Sequence, residues 1–218
     1  MARVKIGNVF PSLAWLMERC APAGYGWGDG SPAAQFNASN VNRTAVFVSS
    51  GDDMPTDDSV WQCEFYATSF DGSGNYGHMV ATGQSGSAKG CCCIRLKENG
   101  VYSEWEWINP PNVRNTEYRT TERWNSLPVY TQMILLDSLP NAGQAVTAHG
   151  IAGIAYVLEA NGVAVDKSTN KGFSFPCRGT DDTVGTVELY ADPTNIVVST
   201  TKDMTNNYGH VILKYIKG

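Results

Sequence analysis

Apolar and polar residues alternate with a period of two through most of the chain, and turn-forming residues interrupt each run after a few positions. "TAVFVSS", "VWQCEFYATSF" and "HMVATGQ" read as strands, separated by the acidic loop "GDDMPTDDS" and the glycine-rich connection "DGSGNYG". "CCCIRLKENGVYSEWEWI" reads as a hairpin, because Asn99-Gly100 supplies the two positive φ angles of a tight type I′ turn. Along its second arm Val101, Ser103, Trp105 and Trp107 fall on one face, and Tyr102, Glu104, Glu106 and Ile108 on the other. Further runs follow down to "NNYGHVILKYIKG", with turn signals every 8 to 12 positions, and "EANGVAV" reads as a second Asn-Gly hairpin. One stretch breaks the pattern. In "FPSLAWLMERC", Leu13, Leu16 and Met17 recur at helical spacing behind Pro11 and a capping Ser12, which predicts a short helix.

"APAGYGWGDGSPAA" separates that helix from the strands, and "NPPNV" marks a second boundary, since Pro110 and Pro111 cannot donate to a sheet ladder. The organisation expected is therefore all-β: an N-terminal helical arm over 1–50, a β domain over 51–111 and a C-terminal β-sandwich over 112–218.

Composition supports this division and narrows the function. The 22 glycines and ten prolines among 218 residues belong to a turn-rich chain, and 17% charged residues is sparse. A net charge of −5 with no run of Lys or Arg excludes a nucleic-acid footprint. No apolar stretch approaches the length of a membrane span, so membrane insertion is not expected. "MARVKIGNVFPSLAWLMERC" lacks an uninterrupted signal-peptide core, and production in the cytoplasm is the expectation. Cys91, Cys92 and Cys93 are consecutive, so alternate faces keep them from one chelate, and the six cysteines read as reduced thiols acting as small apolar residues.

Catalytic chemistry was sought and not found. "GQSGS" has the wrong spacing for a nucleophile elbow, and His78, His149 and His210 show no metal-binding spacing and read as turn or core residues. Glu104 and Glu106 would lie about 7 Å apart on one strand face, near the spacing of glycosidase carboxylates, but alternating Glu and Trp is read as surface decoration. Asp52, Asp53, Asp57 and Asp58 lack the spacing of a calcium loop, and "GYGWGDG" lacks the context of a phosphate cradle. No catalytic residue, metal or cofactor is expected.

"EYRTTERWNSLPVY" concentrates two arginines, two glutamates, two tyrosines and a tryptophan. On a strand, Glu117, Arg119, Thr121 and Arg123 line one face, and Tyr118, Thr120, Glu122 and Trp124 the other, so neither face gathers a catalytic set. Cross-strand ion pairing accounts for part of it; Trp124, Tyr130 and one arginine also suit a surface that grips a sugar or protein.

These residues carry a resemblance. "WQCEFY…HMVATGQ…CCCIRLKENGVYSEWEWI", with Gln84, Arg95, Trp105 and Trp107 at the matching positions, resembles the pyocin-knob module of phage tail fibres. "EYRTTERWNSLPVYTQMI", "HGI" and "NNYGHVILKYIKG" look like the C-terminal tip domain that follows such knobs in bacteriophage tail fibres and receptor-binding proteins. The resemblance covers most of Met54 to Gly218, without a collagen-like or coiled shaft ahead of the knob. It implies a virion component at the tail tip, commonly a homotrimer, that binds a host cell-surface glycan or protein receptor during attachment. Tyr102, Trp105, Trp107, Arg123, Trp124 and Tyr130 are then the candidate receptor contacts. Phe10, Leu13, Trp15 and Leu16 would join the arm to other tail or baseplate proteins. A tail-associated glycan depolymerase or esterase, and a purely structural baseplate or capsid-decoration protein, are the competing readings.

Overall fold

The computed structural model describes Ala38, Val41 and residues 44–68, 73–178 and 185–218. The helix expected around Phe10, Leu13, Trp15 and Leu16 lies outside the described residues, whereas the last part of the arm expected over 1–50 contains a strand, Ala45–Ser49, that pairs into the first sheet. Among the described residues there is no α-helix, and the chain is nearly all β. It divides into two compact units, the first ending at Pro111 and the second running from Asn112 to Gly218.

The first unit is an antiparallel sheet of β1 (Ala45–Ser49), β2 (Trp61–Ala67), β3 (Gly77–Gly83), β4 (Cys92–Glu98) and β6 (Glu106–Asn109), with the short β5 (Val101–Tyr102) also paired to β4. Its register sets Phe47, Cys63, Ala81, Cys93 and Trp107 in one row across the strands, and all five are buried. A parallel row carries Ala45, Phe65, Met79 and Arg95. Loops cover this face: Met54, Ala88 and Val41 are buried over it. The acidic loop keeps Asp52, Asp57 and Asp58 exposed while Met54 and Ser59 are buried. Asp58 accepts hydrogen bonds from the Ser87 backbone N–H (2.9 Å), the Ser87 hydroxyl and the Ser59 hydroxyl (both 3.0 Å).

The Asn99-Gly100 turn forms as expected, with φ of 51° and 81° joining Glu98 to Val101. Beyond it the second arm is not one strand. Ser103 donates its N–H to the Leu96 carbonyl, while its Oγ takes the place of a backbone acceptor for the Leu96 N–H (3.0 Å). The ladder breaks over 103–105 and resumes at β6. Face assignment by alternation fails there: Tyr102 and Trp105 reach the same side, and Glu104 and Glu106 do not share a strand.

The second unit has two sheets. One runs β7 (Glu117–Trp124), β8 (Leu127–Leu136), β15 (Asn207–Lys217), β10 (Ile154–Asp166) and β11 (Gly172–Phe175); the other runs β12 (Cys177–Arg178), β13 (Thr186–Ala191), β14 (Asn195–Thr200) and β9 (Gln144–Ala148). Both contribute to one aliphatic core, with Ile134, Val211, Leu213 and Ala164 from the first and Val187, Ile196 and Val198 from the second. The expected "EANGVAV" hairpin is absent. Asn161 and Gly162 lie inside β10, which pairs with β15 and β11 on its two sides. Glycine is needed there for closeness, since a Cβ on Gly162 would stand 2.2 Å from the Phe175 ring.

Candidate functional site

The "EYRTTERWNSLPVY" stretch folds as the β7–β8 hairpin. Asn125 and Ser126 have φ of 48° and 67°, both in the left-handed region, and close a two-residue turn that matches strand twist. Asparagine reaches that region readily; serine does so at greater cost. Pairing runs Glu117↔Gln132, Tyr118↔Thr131 and Arg119↔Tyr130, then resumes at Arg123↔Pro128 and Trp124↔Leu127, so β7 carries two residues more than β8 in between. Thr120 pins this bulge by donating its hydroxyl to the Val129 carbonyl (2.9 Å) and accepting from the Glu122 N–H (3.3 Å).

Every residue from Thr121 to Leu127 is exposed. Trp124 and Leu127, 51% and 45% exposed, face each other as a cross-strand pair at the tip. Arg123 beside them donates to the Thr120 and Glu122 carbonyls at 3.3 and 3.1 Å, which holds its guanidinium against the hairpin. Glu122 is bonded by Lys214 (2.7 Å), and that bond raises the Lys214 pKa above the usual lysine value. Tyr130 is elsewhere. Its ring stacks on Tyr215 at 6.1 Å, with the Lys217 ammonium 5.2 Å from its centre. Tyr215 is fully buried and bonded to Glu117 and Gln132; burial first, then Glu117, pushes its hydroxyl pKa up.

In the first unit, two of the other three expected receptor contacts, Tyr102 and Trp105, wall in a cation. The Arg95 guanidinium lies 4.0 Å from the centre of the Tyr102 ring and 4.3 Å from that of Trp105. Arg95 (3.4 Å) and the Trp105 indole N–H (3.0 Å) both donate to the Asp53 carbonyl. Lys97 and the Tyr102 hydroxyl share the Val41 carbonyl at 2.9 and 3.0 Å. Burial lowers the pKa of Arg95 and pushes that of Tyr102 up to about 12. Trp107 is 6% exposed and packs edge-on against Trp61 at 5.9 Å. Of the six expected contacts, Arg123 and Trp124 are presented together to solvent, Tyr102 and Trp105 are half-buried around Arg95, and Trp107 is in the core.

Two of the thiols are shielded by position. Cys63 and Cys93 are buried, and burial pushes the Cys63 pKa up to about 12. His149 is a turn residue: its Nδ1 accepts the Ile151 N–H (3.1 Å), and its Nε2 lies 3.2 Å from the Asp192 carbonyl. Among the described residues no group of three or more His, Cys, Asp or Glu is placed to hold a metal ion.

Two depressions that the strand pattern did not single out lie on the second unit, about 560 and 360 Å³ in volume. They adjoin at His210, which lines both. The only hint in the sequence is Tyr208 and His210 standing two apart in "NNYGHVIL", which puts both side chains on one strand face.

No protein-family model matches the chain, and no curated protein matches it in sequence. The solved structures that match include pyocin tail fibres. An N-truncated R2-type pyocin tail fibre aligns over 84% of this chain and 94% of its own, at 9% identity and a TM-score of 0.29. A C-terminal portion of the Pseudomonas aeruginosa R2 pyocin fibre aligns over 85% of this chain and 68% of its own, at 10% identity and a TM-score of 0.28. The corresponding portion of the R1 fibre aligns over 84% and 66%, at 10% identity and a TM-score of 0.27.

Proposed function

We propose that the chain is a receptor-binding protein of a phage tail tip, which adheres to a bacterial surface glycan or protein and makes or breaks no bond. The observation that carries this reading is the β7–β8 tip, where Trp124, Leu127 and Arg123 stand exposed on a hairpin fixed by Thr120 and by the turn. A large apolar ring held out in water on a rigid element has little to gain within the fold, and it suits the centre of an interface. The resemblance of "EYRTTERWNSLPVY" to fibre-tip domains gives the same hairpin its setting in a virion. In this reading the assembly is a homotrimer, in which linked weak sites gain avidity, and residues 1–50 join it to tail or baseplate proteins.

The test is adsorption of the fluorescently labelled full chain to a panel of bacterial cells. Trp124→Ala combined with Arg123→Ala is expected to cut adsorption at least tenfold with an unchanged melting curve. Undiminished adsorption removes the tip from the interface, and absence of adsorption by the unaltered chain across the panel favours a purely structural role. Sedimentation velocity of the unaltered chain reads the oligomeric state.

A further inference from the structure

The two depressions meet at His210, and most of the strand residues that line this cleft face away from the aliphatic core of the second unit. Strand register places its lining independently of any cavity outline. Val211, Leu213 and Tyr215 point inward along β15, so Tyr208, His210 and Ile212 point outward. Ile212 stands between Met133 on β8 and Asn161 on β10; His210 stands between Leu135 and Val163, and Val163 faces Ser174 on β11. With strands about 4.8 Å apart and alternate residues about 7 Å apart, the face from Tyr208 to Ile212 and across to Ser174 covers about 14 by 10 Å.

The chemistry of the cleft changes along its length. Met133, Val163 and Ile212 make one end aliphatic, and Val163 and Ile212 are 44% and 37% exposed. Asn161 and Ser174 border that end with an amide and a hydroxyl. At the other end stand Arg114, Asp137 and Tyr208. Between them the His210 imidazole packs edge-on against the Tyr208 ring, and its buried Nδ1 has no hydrogen-bond partner. One guanidinium and one carboxylate at the same end cancel, so the cleft offers paired donors and acceptors without a net field. By net charge the lining favours neither an anion nor a cation, and it fits a neutral ligand rich in hydroxyls. An apolar corner flanked by an amide and a hydroxyl fits a methyl group carried on an amide. Concave sites of this volume, mostly apolar with a few convergent polar groups, are the usual form of small-ligand sites.

We infer that this cleft is a saccharide subsite for a neutral N-acetylated hexose, with ring hydroxyls toward Asp137, Arg114 and Tyr208 and the acetamido methyl toward Val163 and Ile212. The inference rests on the adhesive reading and gives it a second contact in the same unit as the Trp124 hairpin tip.

Saturation-transfer and shift-perturbation NMR on the full chain test it, with N-acetyl-D-glucosamine and N-acetyl-D-galactosamine as probes and D-glucose and D-galactose as controls. An N-acetylated sugar is expected to perturb the His210 ring and the Val163 and Ile212 methyls, at least fivefold more tightly than its unacetylated partner. Asp137→Ala and Val163→Arg, both at exposed positions that keep the core intact, are each expected to weaken it at least tenfold. Equal response to all four sugars, response to none, or binding indifferent to both variants overturns the inference. So does sedimentation showing that Val163→Arg dissociates an assembly of this chain, because the face then packs on a second copy. Absence of sugar binding by the unaltered chain with cell adsorption intact defeats the subsite alone; absence of both defeats the adhesive reading as well.

Discussion

In the first unit the inward row of β4 is Cys93, Arg95 and Lys97, and both cations are less than one-tenth exposed; in the second, the inward row of β15 is Val211, Leu213 and Tyr215. The difference follows from what covers each sheet. Loops cover the first, and loops carry backbone carbonyls: Asp53 receives Arg95 and Val41 receives Lys97, with Tyr102 and Trp105 closing over the charge. A second sheet covers the other, its carbonyls are used in its own ladders, and only side chains meet the opposite face. Cations are tolerated under a loop and would be left unsatisfied under a sheet.

The largest expected effect in this comparison comes from Arg95→Ala. It empties the space between two rings and removes one of the donors to the Asp53 carbonyl, and should cost the first unit about 4 kcal/mol. Hydrogen exchange should show the loss confined to residues before Pro111. Arg95→Met, which keeps volume without charge, should cost less than half as much; an equal cost would show that the hydrogen bonds, not the packing, hold the unit. In the second unit, Gly162→Ala drives a methyl into the Phe175 ring and should cost about 3 kcal/mol in chemical denaturation. Tyr215→Phe, which removes the buried hydroxyl from Glu117 and Gln132, should cost about 1.5 kcal/mol, read in the same way.

The smallest effect is acid sensitivity. Asp192, held down to about 2 mainly by the Thr194 N–H, and Asp166, held down mainly by the Ser168 hydroxyl, are turn carboxylates of the second unit. Their folded pKa values lie below the unfolded value of about 3.9, so their contribution is complete above about pH 4 and fades as pH falls toward 2. Asp192→Asn should flatten the stability of the second unit across that window by lowering it at pH 7, where the carboxylate's contribution is complete, more than at pH 2. A steeper fall in the variant would contradict the assignment.

The same contrast explains what was legible in the sequence. β15 alternates cleanly, and the type of element and its inward residues follow from "NYGHVILKYIK". β4 misleads: in "CCIRLKE" alternation would turn Ile94 and Leu96 inward, yet Leu96 is 58% exposed and its basic neighbours are buried. The reason is long-range, because the carbonyls that accept Arg95 and Lys97 come from 42 and 56 residues away. Asn-Gly marked a turn correctly at 99–100 and wrongly at 161–162, where the glycine serves an aromatic ring on the next strand. For the candidate site, the sequence singles out Arg123 and Trp124 but not the Asn125-Ser126 turn that exposes them together, and alternation misplaces the faces of Tyr102 and Trp105 because one serine side chain enters the ladder. The His210 cleft needs four strands in register, and no local pattern reveals it.

The most direct measurement for the central claim is binding of the full chain to immobilised bacterial surface polysaccharide, followed together with reducing-end content. Saturable, reversible binding that falls with Trp124→Ala, while reducing ends stay constant for hours, is the predicted result. Reducing ends that climb steadily with time, or the absence of any saturable binding, would contradict it.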